Sequence, residues 1–255
     1  MMSAAPAMLS RCLAVEAPRG QRLSNLIALD ASHAAVSVAV LCHGGEGAPI
    51  AREAFASRSG EHAEQLMAMI AAVMRETGVA FAALDRIAVT VGPGSFTGVR
   101  VGIAAARGLG LAAGRPVVGA SSLAVMAAEA VRLLPPRADG LLAVAVDAGR
   151  GMVFFQLFRS PQDPQSSPLY LPPAAAAGLV GGRRVRLVGS AAAAVAAALA
   201  AGGGTAEVAR TRLQPRARSL LALTLAGAAS GPVRPLYLRP HGAVPPANGA
   251  LASGR

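Results

Sequence analysis

Apolar and polar positions along the chain first alternate in short runs and then settle into a helical period. Residues 26–30 form an apolar run that ends in Asp30. The small polar turn Ala31, Ser32 and His33 follows, and a second apolar run, 36–41, closes on Gly44 and Gly45. Two such runs around a polar turn predict a β-hairpin, and residues 50–57 add a third strand. Ser59, Gly60 and Glu61 then open a helical pattern that reaches Gly78, with Leu66, Met67, Ile70, Val73 and Met74 on one face. Glu61 and Glu64 in the first turn and Arg75 in the last complement the helix dipole. That face suits either a core helix or a helix packed on another subunit, because methionine-rich faces adapt to partners.

Residues 85–91 read as a buried strand running into the glycine-rich turn 92–98 and then a long helix, 99–113. A strand at 116–119 and a helix at 121–134 follow, and Pro135-Pro136 marks a boundary. The second half reopens as the first did. Asp147 ends the run 141–147 as Asp30 ends its own, and Val153 starts a return strand as Val36 does, at one constant spacing. This weak duplication predicts two similar lobes whose carboxylates face a common cleft. A Pro/Ser-rich loop at 160–173, a strand at 183–188, helices at 190–201 and 219–229, and a closing segment at 234–239 complete the pattern. The expected organisation is therefore α/β: a flexible extension over 1–25, a first lobe over 26–136, a second over 137–240 and a loose tail over 241–255.

Composition narrows the class. The chain has 255 residues and is 53% hydrophobic, so it can bury enough surface to fold. Its formal net charge is +11, and all 24 basic residues are arginine. Codon usage rich in G and C explains arginine in place of lysine, but not the excess of cations over 13 carboxylates. Two cysteines, Cys12 and Cys42, make neither a disulfide scaffold nor a cysteine-rich zinc site, which favours a reducing, cytoplasmic setting. Arg11 and Glu16 interrupt the first apolar stretch, so it is no clean secretory signal; residues 1–25 read as an extension or as a start placed too far upstream. The alanine-rich run 188–201 falls short of the ~20 residues of a membrane span.

The turn from Gly92 through Gly94, Ser95 and Thr97 to Gly98 is the strongest local signal. Glycines at a strand-to-helix turn expose N–H groups that can hold an anion; they equally allow a helix to pack tightly on a sheet. The turn lacks the GK[ST] ending of a P-loop and the spacing of a dinucleotide fingerprint, and Ser95 does not sit in a GxSxG elbow. His33, His43, His62 and His241 are scattered and form no metal-ligand pair. A hydrolytic triad of Ser95, Ser121 or Ser122 with His62 is disfavoured. Asp30 and Asp147 are either cleft carboxylates that position a metal-bound phosphate or turn-capping residues.

Taken together, several stretches resemble one family. Ile27-Ala-Leu-Asp-Ala-Ser32 with Val36–Val40, Glu61-His62 with Gln65-Leu66, the block VGPGSFTGVRVGI over 91–103, and Val118-Gly-Ala-Ser-Ser-Leu123 are similar to the TsaB (YeaZ) family of bacterial tRNA threonylcarbamoyladenosine biosynthesis proteins. Val146-Asp-Ala-Gly-Arg150 and Pro235-Leu-Tyr-Leu-Arg239 fit as well, so the resemblance covers about 25–240. It implies an actin-like (ribonuclease-H-like) fold of the glycoprotease-like branch, with a mixed sheet flanked by helices in each lobe. It implies a non-catalytic scaffold in making N6-threonylcarbamoyladenosine next to the tRNA anticodon. The implied partners are a TsaD-type catalytic subunit, a TsaE-type ATPase and, through the complex, tRNA, with a homodimer through the same helices as an alternative pairing. No cofactor is expected on this chain; ATP and a metal ion are expected in the partner subunits. TsaD-like proteins carry a metal-binding histidine pair where this chain has residues 120–126, which hold none.

The family's pairing surface is carried by its first two long helices. Carried over, it comprises His62, Gln65, Leu66, Met69, Ile70 and Val73 on the first and Val99, Ile103, Ala106 and Arg107 on the second. Gly98, Gly102 and Ala106 recur every four positions, which suits close helix approach. Two other readings stand beside the scaffold: an active enzyme of the same superfamily, phosphotransferase or metallopeptidase-like, and a direct tRNA binder. For the last, Arg183, Arg184, Arg186, Arg210, Arg212, Arg216 and Arg218 cluster in the second lobe; they read mainly as a solvated surface.

Overall fold

A computed structural model describes residues 13–14, 25–42, 50–57, 62–135 and 140–239. The expectations placed on the bulk of 1–25, on Gly44 and Gly45, on Ser59 to Glu61, on Pro136, on His43 and His241, and on the tail 241–255 lie outside these residues.

The first lobe is built on a six-stranded sheet. Its strands are β1 (Leu13–Ala14), β2 (Asn25–Asp30), β3 (Ala35–Cys42), β4 (Ile50–Ser57), β5 (Arg86–Thr90) and β6 (Val117–Ala120). Their spatial order is β1-β4-β3-β2-β5-β6. The β1–β4, β4–β3 and β3–β2 pairs are antiparallel, and β2–β5 and β5–β6 are parallel. Because β2 is central and covered on both sides, it reads as a continuous apolar run. Its alternate residues divide between two layers. Ile27 and Leu29 face α1 (His62–Thr77) and α2 (Phe96–Ala113), whereas Leu26 and Ala28 face the opposite side.

The second lobe repeats the plan. After α3 (Ser122–Leu133) come β7 (Leu141–Gly149), β8 (Met152–Ser160), β9 (Asp163–Pro164), β10 (Leu169–Leu171), α4 (Pro173–Val180), β11 (Val185–Val188), α5 (Ala192–Ala201), β12 (Glu207–Arg210) and α6 (Ala217–Leu225). The sheet order is β10-β8-β7-β11-β12, with β9 on β8. The antiparallel pair β7–β8 followed by parallel β7–β11 and β11–β12 matches β2–β3, β2–β5 and β5–β6 of the first lobe. Helices α4 and α5 cover one face, and α3 covers the other through Leu123, Met126, Ala127 and Ala130.

The structure differs from the sequence reading at several places, among them the added strand β12 and a last helix that ends at Leu225 rather than 229. The long helix begins at Phe96, three residues early, because Ser95 caps it: its Oγ accepts the Gly98 N–H at 3.3 Å. The stretch 160–173 is not a plain loop, since β9 and β10 pair with β8 there and α4 starts at Pro173. Proline at the first helical position explains that start. Leu13 and Ala14, read as part of a flexible extension, pair with Ala51 and Ile50 of β4. Finally, 137–240 is not one spatial lobe. Helix α6 lays Leu220, Leu221, Leu223 and Leu225 on the back face of the first sheet, against Leu26, Ala28, Ala39 and Leu41. That face would otherwise stand bare to water, so the chain returns to cover it.

Candidate functional site

The two lobes enclose a cleft of about 360 Å³. Its first-lobe wall is His33, Pro93, Gly94, Ser95 and Phe96; its second-lobe wall is Val146, Asp147 and Phe154. A third side is the strap Leu236–Arg239, which runs back from α6. The strap is tied to both lobes. Gly231 and Gly119 exchange backbone hydrogen bonds, Leu236 N–H donates to Val91 at 2.7 Å, and Arg107 donates to the Val233 carbonyl at 2.5 Å. Tyr237 stacks on Phe96 with ring centroids 5.5 Å apart, and the Arg100 guanidinium lies 3.7 Å over the Phe96 ring while its Nε donates to Tyr237 Oη at 2.7 Å. On the other side Arg239 donates to the Ala148 carbonyl and faces the Phe154 ring. The closing segment seen in sequence is thus a wall of the cleft.

Packing accounts for the glycines of the 92–98 turn. Gly92 holds φ 98°, in the left-handed region. A Cβ on Gly94 would overlap the Ser32 carbonyl, and one on Gly98 would overlap the Ala31 carbonyl, with the Ala31 carbonyl carbon 3.2 Å away. The turn therefore seats α2 directly on the β2–β3 turn, and Ser95 N–H donates to the Ser32 carbonyl at 2.8 Å. Thr97 is exposed at the helix start. The serines serve as structural donors and caps: Ser121 caps α3 at Ala124 N–H, and Ser122 Oγ donates to the Pro93 carbonyl.

The two predicted carboxylates do not share the cleft. Asp147 is exposed on its wall and holds its own turn, accepting the Gly149 N–H at 2.8 Å. Asp30 is fully buried beneath the cleft. One of its oxygens accepts from Ser32 Oγ at 2.6 Å and from Thr90 Oγ1, whereas Oδ2 has no hydrogen-bond partner. Burial raises its pKa to about 6, and the hydrogen bonds from Ser32 and Thr90 pull it back only in part. The folded protein thus holds this proton more tightly than the unfolded chain. The resulting stabilisation is full below the unfolded value near 3.8 and is lost as pH rises through about 6. Asp30→Asn is therefore expected to stabilise the protein at pH 8 by about 1–3 kcal/mol and to change little at pH 4. Urea midpoints at the two pH values check this; a variant weakened at pH 8 would show that the charge itself is needed.

His33 stands in the cleft wall with Nδ1 3.0 Å from Ser32 Oγ, and burial pushes its pKa down to about 4. His62 begins α1, and its side chain lies outside the described residues. Among the described residues, no three His, Cys, Asp or Glu side chains come together as a metal site.

The predicted pairing residues lie mostly in the wrong direction for a partner. Leu66, Met69, Ile70 and Val73 of α1, and Val99, Ile103 and Ala106 of α2, are buried against the first sheet in the chain's own core. Gln65 is half-buried and Arg107 is exposed, held by the strap. The small-residue series also points inward: Gly98 meets Ala31 and Gly102 meets Val89, so it brings α2 close to its own sheet. On α1 the apolar face read from the sequence is buried at Leu66, Ile70, Val73 and Met74 and is already taken, but Met67, expected on it, is exposed instead. The outward faces carry other residues. Met67 is 51% exposed and Leu111 87%, with Ala68, Ala71, Ala104 and Gly108 exposed beside them.

Of the seven second-lobe arginines, five are engaged in ways that composition did not reveal, Arg184 among them. Arg216 pairs with Glu53 at 2.8 Å, Arg218 bridges Glu53 and Glu129, Arg186 pairs with Glu207 at 3.2 Å, and Arg183 donates to the last carbonyls of α4. Glu53 and Glu129 are almost fully buried, and neither was singled out in sequence. Glutamate in an alternating strand and in an amphipathic helix normally reads as a solvated position, so no pattern marked them.

The duplicated hairpin-plus-parallel sheets, the helices flanking each and the cleft between them define an actin-like (ribonuclease-H-like) α/β protein. Comparison with known proteins takes this further. A family model described as TsaD, tRNA N6-adenosine threonylcarbamoyltransferase, matches residues 55–164. The solved structure of YeaZ from Pseudomonas aeruginosa superposes with a TM-score of 0.63 at 30% identity, covering 84% of this chain and 100% of that one. The tRNA threonylcarbamoyladenosine biosynthesis protein TsaB of Haemophilus influenzae is 39% identical over 130 residues, 51% of this chain and 52% of the relative. A tRNA N6-adenosine threonylcarbamoyltransferase of Erythrobacter litoralis is 50% identical over 62 residues, 24% of this chain and 18% of the relative. In sequence, then, the chain spans about half the length of the curated TsaB relative or less of the transferase. The chain belongs to the TsaB (YeaZ) family.

Proposed function

We propose that this chain is a non-catalytic subunit in the synthesis of N6-threonylcarbamoyladenosine next to the tRNA anticodon, and that it works by pairing with a TsaD-type catalytic subunit. Family membership carries the reading. In it, ATP and the metal ion belong to the partner subunits, a TsaE-type ATPase joins the pair, and tRNA is met through the complex. A homodimer would use the same surface as the TsaD-type partner. No helix among the described residues is long and apolar enough to cross a membrane, which fits a cytoplasmic role.

The pairing surface is reassigned to the outward faces of α1 and α2. Met67 and Leu111 are its apolar anchors, and Ala68, Ala71, Ala104 and Gly108 leave room for a partner helix to approach. A Cβ on Gly108 would meet nothing within 4 Å, so space is open there. Burying two such anchors is worth about 3–6 kcal/mol before ordering costs. The decisive experiment is co-purification with a TsaD-type subunit from the same cell. Met67→Glu with Leu111→Glu is expected to abolish it while the thermal midpoint stays near that of the parent. Ile70→Glu, by contrast, should unfold the chain, because Ile70 is 1% exposed. Undiminished pairing by a folded Met67→Glu/Leu111→Glu variant would remove the assignment.

A further inference from the structure

A second cavity lies away from the cleft. It is a groove of about 420 Å³ between Phe55 at the end of β4, Glu129 and Leu133 on α3, and the segment 209–216 that links β12 to α6. Leu213 is buried in this segment, and Gln214 ties it to the first lobe by accepting the Ala34 N–H at 3.2 Å.

The charge around the groove is unbalanced in a defined way. Glu53 accepts from Arg216 Nε and a terminal nitrogen at 3.1 and 2.8 Å and has Arg218 at 3.4 Å. Glu129 accepts from Arg132 at 3.2 and 2.8 Å, from Arg218 Nε at 3.2 Å and from Ser219 Oγ at 2.7 Å. The Arg216 guanidinium lies over Phe55, its Cζ 3.8 Å from the ring centroid. Both carboxylates are thus committed to Arg132, Arg216 and Arg218. Arg210 and Arg212 line the same groove, are exposed, and their side chains have no hydrogen-bond or ion-pair partner among the described residues. Arginine's planar fork suits phosphate oxygens, and two unpaired forks beside a rigid, net-positive wall form a track for a polyanion.

We propose that the groove bounded by Arg210, Arg212, Arg216 and Phe55 binds the phosphodiester backbone of RNA. The choice of RNA over an acidic protein rests on the function proposed above. A backbone contact of this kind positions RNA without reading its sequence. The groove lies off the outward faces of α1 and α2, so RNA contact and subunit pairing are separable.

The test is the affinity of an unmodified tRNA transcript, measured by fluorescence anisotropy across a salt series. It is run on the full chain and on its complex with the TsaD-type subunit. Arg210→Gln with Arg212→Gln is expected to weaken binding about tenfold at low salt and to lower the slope of log affinity against log salt by about 1–2. Pairing with the TsaD-type subunit should be unchanged. Arg159→Gln, which removes one exposed cation paired with Asp163 elsewhere, should bind as the parent does. Parent-like binding by the double variant overturns the proposal, as does an equal loss in Arg159→Gln or an absence of tRNA binding in both forms of the parent. Displacement from the groove by poly-glutamate but not by tRNA would make it a protein-docking site, which also overturns the proposal. Failure of the parent to pair with the TsaD-type subunit, with groove-dependent tRNA binding intact, would instead strike the functional reading and leave the groove standing.

Discussion

Gly98→Ala is expected to cost about 3 kcal/mol or more of stability, while Gly108→Ala ten residues later in the same helix is neutral or stabilising by up to about 1 kcal/mol. The two substitutions make the same chemical change to α2. At Gly98 the new Cβ would overlap the Ala31 carbonyl oxygen, part of a backbone turn that has no side-chain freedom to yield. Relief would require α2 to lift from the β2–β3 turn. That lift would strain the Ser95 hydrogen bond to Ser32 and disturb the seating of Phe96 under Tyr237. At Gly108 the Cβ meets nothing within 4 Å, and the gain in helix propensity is felt alone. Denaturant unfolding of the two variants side by side is the measurement. Equal behaviour would mean that the turn's glycines are not explained by close packing, and a ligand-binding role for them would regain weight.

The second large effect is expected at Glu129. Burial alone would raise the pKa of this carboxyl, but hydrogen bonds from Arg132, Arg218 and Ser219 outweigh it and hold the pKa at about 2. A depressed folded value means the stabilisation is present above the unfolded pKa near 4.5 and is lost as pH falls toward about 2. Glu129→Gln should cost about 3 kcal/mol at pH 7, since it leaves the largely buried Arg218 without half of its compensation. The cost should shrink through the window from 4.5 to 2, where the parent's own carboxylate is neutralised. Acid-unfolding curves of parent and variant should therefore converge at the low end. Parallel curves throughout would show that the arginines rearrange to other acceptors.

These two residues also show what could be read from the sequence. Asp30, the 92–98 turn and the repeated strand pair stood out because local rules mark them: a carboxylate ending an apolar run, and glycines at a strand-to-helix junction. Glu129 did not stand out, because a glutamate on an amphipathic helix looks solvated until another layer covers it. That layer is α6, ninety residues away, carrying Arg218 and Ser219. The pairing helices erred in the opposite sense. The family resemblance offered Leu66, Met69, Ile70, Val73, Val99, Ile103 and Ala106 to a partner, and the first sheet already covers them. The positions left for a partner are Leu111 and Met67, and Met67, counted in the sequence on the apolar face of the first helix, turns out to be exposed.

The sequence by itself determined the α/β class, the near-duplicate lobes, the position of most helices and strands and the family motif. Each of these is written in period, turn residues or a local block, which needs no distant neighbour to be read. Only the tertiary structure decided which apolar face is core and which is free, that α6 and the strap return to the first lobe, that Asp30 sinks beneath the cleft while Asp147 lines it, and which arginines are neutralised. Burial and charge compensation are set by what packs across the fold. Of the seven arginines alike in the sequence, Arg186, Arg216 and Arg218 therefore hold Glu207, Glu53 and Glu129, Arg183 closes the end of α4, and Arg210 and Arg212 face an open groove.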